Sequence, residues 1–240
     1  MRFMSSFWTR ALISGVAAGT QRRFLEYTKL YLNAVHIQVQ YRAEDKLLDV
    51  QDFIKLRRDT GALKMCFAMG EYGFGLNVPD EVFAHPVIQE MENMANDVVV
   101  LSNVSQVDGC FDLMLMSSSQ DVYSYNIEQA QGDRCNIIEV VMKQHGLGVQ
   151  DAIIFSGELV KECMRKYDLA KQALPVWGKE LDEQVHKYLK VCEDWMTAGF
   201  YWSLESKRYF GTDVNRVRET LTVTIHPGLA PRGQEVIDDL

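Results

Sequence analysis

The sequence predicts an all-α protein organised as a single domain. Apolar residues recur at helical spacing in five separate stretches, Gly- or Pro-containing breakers stand between most of them, and alternation is confined to Thr220 to Ile225 near one end. The chain has 240 residues, 47% of them apolar and 24% charged, which is enough to enclose a full core. Lys and Arg total 25 against 33 for Asp and Glu, a net charge of −8. That balance argues against a generic nucleic-acid binder, since phosphate contacts need clustered cations.

In chain order, Met1 to Arg23 holds four arginines, three serines and no acid. This composition resembles a transit peptide; the reading preferred here is the edge of a folded domain whose start lies upstream. Phe24 to Val35 forms the first clear helical stripe, and Arg57-Arg58-Asp59-Thr60-Gly61 follows as a helix interruption. Asn77-Val78-Pro79-Asp80 is a breaker. Val87, Ile88, Met91, Met94, Ala95 and Val98 then line one face of a helix. Ile137 to Met142 continues another helix, closed by His145-Gly146-Leu147-Gly148. Leu159, Val160, Cys163, Met164 and Tyr167 make a further stripe, ended by Pro175-Val176-Trp177-Gly178. Leu181, Val185, Tyr188, Leu189, Cys192 and Trp195 predict one long buried face. The cysteines number five with no Cys-x-x-Cys, so neither a disulfide framework nor a zinc site is indicated, and a reduced, cytoplasmic setting is expected. No apolar run reaches the ~18 residues of a membrane span.

Three motifs carry chemistry. Ser124 and Glu128 stand four apart, so a helix places their oxygens on one face. Residues 104–120 match no helical stripe and end beside a serine triplet. Without them, Asn103, Ser124 and Glu128 fall at 0, +4 and +8. Amide, hydroxyl and carboxylate oxygens stacked in this way suit a hard cation such as Mg²⁺ that also touches phosphate. Arg208 and Tyr209, adjacent near a helix end, can both donate to a phosphate oxygen. Arg57 and Arg58 put guanidinium groups at the Thr60-Gly61 break. A solvated basic turn is the ordinary alternative for that pair, as a surface Arg and a buried Tyr are for Arg208-Tyr209.

Taken together, these motifs resemble the class I terpene synthases, in particular the sesquiterpene synthases of basidiomycete fungi. Gln21-Arg-Arg-Phe-Leu-Glu26, Leu76-Asn-Val-Pro-Asp-Glu-Val82, His85-Pro-Val-Ile88 and Trp202 to Tyr209 support it. The resemblance implies an isoprenoid-synthase helical bundle with a central apolar cavity, incomplete here at the N-terminus. It implies Mg²⁺ as cofactor and a prenyl diphosphate, farnesyl diphosphate, as substrate. Ionisation would release pyrophosphate and the cation would cyclise. Position by position, Asn103, Ser124 and Glu128 match the metal ligands, and Arg208 and Tyr209 the diphosphate-binding pair. Arg57, 46 residues before Asn103, matches the pyrophosphate sensor, and Thr60 and Gly61 match the helix-break effector region.

Two departures qualify the resemblance. The family's Asp-rich first metal motif is absent, since the one Asp-Asp is Asp238-Asp239. The family's first helices are therefore expected upstream of Met1. Residues 104–120 also split the second motif. They read as a retained intron, because Val104-Ser105 can encode a donor consensus, Gln120 an acceptor, and excision is in frame. A true loop insertion is the alternative, in which Gln120 takes the turn before Ser124. A catalytically inactive, truncated or misspliced homologue is thus the competing function, and a partner-binding helical scaffold a third.

Overall fold

The structure, a computed structural model, describes residues 2–101, 120–205, 207–220 and 222–225. Helices follow one another as α1 (Arg2–Ile13), α2 (Ala18–Ala43), α3 (Val50–Thr60), α4 (Leu63–Gly73), α5 (Asp80–Phe83) and α6 (Pro86–Leu101). After the undescribed stretch come α7 (Gln120–Ala130), α8 (Ile137–His145), α9 (Val149–Gln172), α10 (Lys179–Glu205), α11 (Lys207–Phe210) and α12 (Val214–Thr220). No strand occurs among the described residues.

The central element is α6. Pro86 opens it, where a missing N–H costs nothing. From Met94 to Leu101 every residue is buried, because α9 and α10 pack along it and α3 and α7 also touch it. Ile88, Met91, Val141, Leu189 and Cys192 form the middle of the core. Local chemistry sets the other helix ends. The Asp49 carboxylate caps α3 by accepting from the Asp52 amide at 2.8 Å. Asn136 caps α8 by accepting from the Ile138 amide at 2.9 Å, and Gly146 closes that helix in the left-handed region. Gly70 lets α4 approach α10 closely, since a Cβ there would overlap the Val191 side chain.

The N-terminal segment is packed rather than extended. Trp8 stacks on Phe24 with ring centroids 5.5 Å apart, and Ala11 is buried. Two expectations fail in detail. The alternating Thr220–Ile225 segment holds no strand among its described residues: α12 runs to Thr220, and 222–225 is irregular chain whose Thr224 carbonyl accepts from Asn126 Nδ2 at 2.9 Å. A strand needs a neighbour to complete its ladder, and this segment lies against a helix. Trp195 is partly exposed, while its neighbour Met196 takes the buried place. Over the 27-residue α10 the 3.6-residue period carries the buried face one position round.

Candidate metal and diphosphate site

Ser124 and Glu128 lie on α7, both half-buried, one turn apart on the same face. Glu128 is held from behind. Its Oε2 accepts from Asn136 Nδ2 at 2.9 Å, and Asn136 is fully buried and fixed by its own capping bond. That arrangement orients the carboxylate as an outer-shell partner orients a metal ligand. Asn126, buried on the same helix, ties the 222–225 segment to α7. Asn103 lies outside the described residues, and α7 begins at Gln120.

Arg208 and Tyr209 lie on the short α11, which packs against both α10 and α7. The structure therefore brings the cationic pair's helix to the oxygen-donor helix. Tyr209 is buried and meets Trp202 edge-on at 6.0 Å. Arg208 is exposed, with its guanidinium carbon 5.9 Å from the Trp202 ring centroid and 5.6 Å from that of Tyr209. Both distances are within cation–π reach.

Arg57, Thr60 and Gly61 sit at the junction of α3 and α4. Helix α3 packs on α6 and α8, the helices that also flank α7. The predicted interruption is present: α3 ends at Thr60, Gly61 caps it, and Ala62 turns the chain with φ 60° before α4 starts at Leu63. A non-glycine residue in the left-handed region costs roughly 1 kcal/mol or more. Gly61 is required for space, since a Cβ would stand 2.8 Å from Val100 Cγ1 and 3.1 Å from the Arg57 carbonyl. The two arginines differ. Arg58 makes a two-pronged ion pair with Asp97 of α6 at 2.7 and 2.6 Å. Arg57 is half-buried on the adjacent position. Burial pushes the Asp97 carboxyl above its usual range, with Arg58 opposing the shift.

The sequence reading missed several buried polar groups. Arg23 pairs with Glu71 at 2.5 Å, contacts Asp80, and stacks 3.8 Å over Phe83. Tyr188 donates to Glu92, whose carboxyl burial pushes up to about 7. Asn96 and Asp97 grip the end of α3. A signal for the last pair existed: an Asn-Asp inside the apolar run from Met94 to Leu101 must find partners once buried.

Among the described residues, cavities open beside these elements. One of about 290 Å³, lined by Tyr41, Lys46, Phe53, Leu56, Arg134 and Val140 among others, includes none of the described residues named as ligands from the sequence. Another of about 370 Å³ is lined by residues including Arg58, Asp97, Cys163 and Lys166. Burial drives the Cys163 thiol up to about 12, so it is inert as a nucleophile.

The donor chemistry fits a divalent hard cation. Ser124 and Glu128 offer oxygen ligands only, and a single carboxylate supplies too little charge and too few positions for six-coordinate Mg²⁺ by itself. No group of three or more His, Cys, Asp or Glu that could hold a metal occurs among the described residues. A cation here would be completed by water and ligand phosphate.

An all-helical bundle that presents a hard-oxygen helix to a cationic turn defines the class. This chain belongs to the terpene synthase family: the family described as "Terpene synthase family 2, C-terminal metal binding" matches residues 1–166. It is 36% identical over 226 residues to sesquiterpene synthase 1 of Postia placenta, covering 94% of this chain and 62% of that protein. It is 36% identical over 213 residues to an alpha-muurolene synthase of Coprinopsis cinerea, covering 89% of this chain and 46% of that one. The chain thus spans less than two thirds of these relatives' length. A linalool/nerolidol synthase from Streptomyces clavuligerus, solved with 2-fluorogeranyl diphosphate, superposes with a TM-score of 0.68 at 18% identity. That match covers 83% of this chain and 64% of that structure, and it shows a shared fold. No helix among the described residues is long and apolar enough to cross a membrane.

Proposed function

We propose that this protein is the metal-binding part of a sesquiterpene synthase that ionises farnesyl diphosphate and cyclises the resulting cation. The observation that carries the reading is the buttressed Ser124–Glu128 face of α7 packed beside α11 with Arg208 and Tyr209. Mg²⁺ bound there would neutralise charge on the diphosphate as it leaves. The chain's residues do the remaining work. Glu128 and Ser124 would hold the cation, with Asn103 as the third ligand in the uninterrupted motif. Asn136 keeps the Glu128 carboxylate aimed. Arg57, Arg208 and Tyr209 donate hydrogen bonds to the diphosphate oxygens, and these strengthen as the carbon–oxygen bond breaks and its electron pair moves to the leaving group. Thr60 and Gly61 would turn the helix-break backbone toward the forming cation, which must be shielded from water. The relatives' names support the sesquiterpene class, and the 2-fluorogeranyl diphosphate bound by the structural neighbour supports a prenyl diphosphate ligand. A cytoplasmic location accords with this soluble-substrate chemistry.

The second reading is an inactive homologue, favoured by the separation of Asn103 from Ser124 by residues 104–120. A retained intron accounts for that stretch. The test is pyrophosphate release from farnesyl diphosphate in Mg²⁺, comparing this chain with one lacking 104–120. Release by the shortened chain, lost in Glu128→Gln and Arg208→Ala, supports the first reading. Release by neither chain supports the second.

A further inference from the structure

Resting on that reading, we infer that Asn96 and Asp97 of α6 are positioning residues that clamp the end of α3 and so aim Arg57 at the diphosphate. The two act on one residue, one at its backbone and the other at its side chain. Asn96 Nδ2 donates to the Arg58 backbone carbonyl at 2.8 Å, and the Asp97 carboxylate takes both prongs of the Arg58 guanidinium at 2.7 and 2.6 Å. Asn96 is fully buried and Asp97 nearly so, at 0% and 3% exposure. The last-turn carbonyls of a helix have no partner within it, so the Arg58 carbonyl needs an outside donor, and the amide supplies one.

The consequence is rotational. Gripping residue 58 by backbone and side chain fixes the roll of the final turn. Arg57, one residue earlier, then points about 100° away round the helix, at a bearing set by the clamp. The cost is visible in the structure. Asn96 Oδ1 is buried with no hydrogen-bond partner among the described residues, near Gly61, and Ala62 is held at positive φ. A buried unsatisfied amide oxygen is destabilising, so a hydrophobe would serve packing better than this asparagine. Its place in an apolar stretch of helix is accounted for by the bond it donates. Helix α6 also packs on α7, which carries Ser124 and Glu128.

The test is calorimetric titration of inorganic pyrophosphate into the 240-residue chain in excess Mg²⁺, with thermal melts run alongside. Asn96→Leu removes the donor at similar volume, and Arg58→Lys keeps the charge while losing the planar fork. Each is expected to weaken pyrophosphate binding about tenfold, as loss of an outer-shell partner does. In an Arg57→Ala background neither is expected to weaken it further, because both act through Arg57. Should Asn96→Leu fail to fold, Arg58→Lys, at a side chain that is only partly buried, decides the matter. Unchanged affinity in a folded variant, or losses that add to that of Arg57→Ala, overturns the clamp. Where only the chain lacking 104–120 binds, the variants are read in that chain; absence of binding by both chains, or no effect of Arg57→Ala itself, overturns instead the proposed function on which the clamp rests.

Discussion

Two polar regions of this molecule share a composition and differ in burial. In the interior, Arg23 of α2 pairs with Glu71 of α4 with side chains 8% and 0% exposed, and Glu92 of α6 accepts from Tyr188 of α10. At the rim, the end of α2 and the loop after α7 exchange two Arg–Asp pairs, Arg42 with Asp133 and Arg134 with Asp45. The interior pairs are low-dielectric contacts whose partners lost their water on folding. The rim pairs keep much of theirs. The difference teaches that one contact type fixes helix positions in one place and merely decorates a surface in the other.

Arg23→Met should break the comparison open most strongly. It leaves the Glu71 carboxylate buried with no cation and strips the stack on Phe83. Loss of about 3–5 kcal/mol is expected in urea unfolding. A double change, Arg23→Met with Glu71→Gln, should recover part of it by removing the stranded charge. A loss under about 1 kcal/mol would mean the interior pair behaves like the rim.

Glu92 gives the pH signature. Its carboxyl is raised from 4.5 to about 7, chiefly by burial, against the lowering effect of the Tyr188 bond, Lys64 and Arg23. Between about pH 4.5 and 7 the folded protein therefore binds a proton that the unfolded chain has released. Stability contributed by this group is fully present below about 4.5, falls as pH rises, and levels off above about 7. The span corresponds to about 3 kcal/mol. Melting temperatures across that window should fall more steeply for the unaltered protein than for Glu92→Gln. Equal slopes would show that Glu92 is not the group responsible.

The helices were readable because their cause is periodic. Val87 to Val98 and Leu181 to Cys192 each repeat an apolar face long enough to override local noise, and the breakers at 77–80, 145–148 and 175–178 are Gly and Pro chemistry. The donor pair Ser124–Glu128 was readable for the same reason, since a four-residue spacing means one face of a helix. What escaped depends on tertiary contact. Nothing in Arg22-Arg23 says which arginine turns inward; the structure sends Arg23 to Glu71 and leaves Arg22 at the surface with Asp80. Ala62 carries no turn signal, yet it adopts φ 60° because α3 and α4 are each fixed by other helices. Trp195 was misplaced because a stripe extrapolated over four turns drifts.

Gly70→Ala probes the interior from its edge. Gly70 precedes Glu71, and a Cβ there would overlap Val191 of α10. Displacing α4 should cost about 1–3 kcal/mol by overpacking. Val191→Ala opens room for that methyl, so the pair of changes should cost less than the two single losses together. Additive losses would show that α4 is held by the Arg23–Glu71 pair rather than by its fit against α10.

The smallest effect belongs to the rim. Arg134 and Asp45 side chains are 43% and 75% exposed, and Arg42 and Asp133 are 48% and 25% exposed. Arg42→Ala with Arg134→Ala should together cost no more than about 1 kcal/mol, because each exposed pair exchanges hydration for a screened contact and orders two long side chains. Raising salt to about 0.5 M should shrink even that difference, whereas the loss in Arg23→Met should persist, since ions do not penetrate where Glu71 lies. Asp133 also accepts from the Cys135 amide at 3.0 Å, so the loop keeps its turn when the arginine is gone. A salt-resistant loss of several kcal/mol at the rim would reverse the ordering and assign the loop after α7 a structural weight equal to the core's.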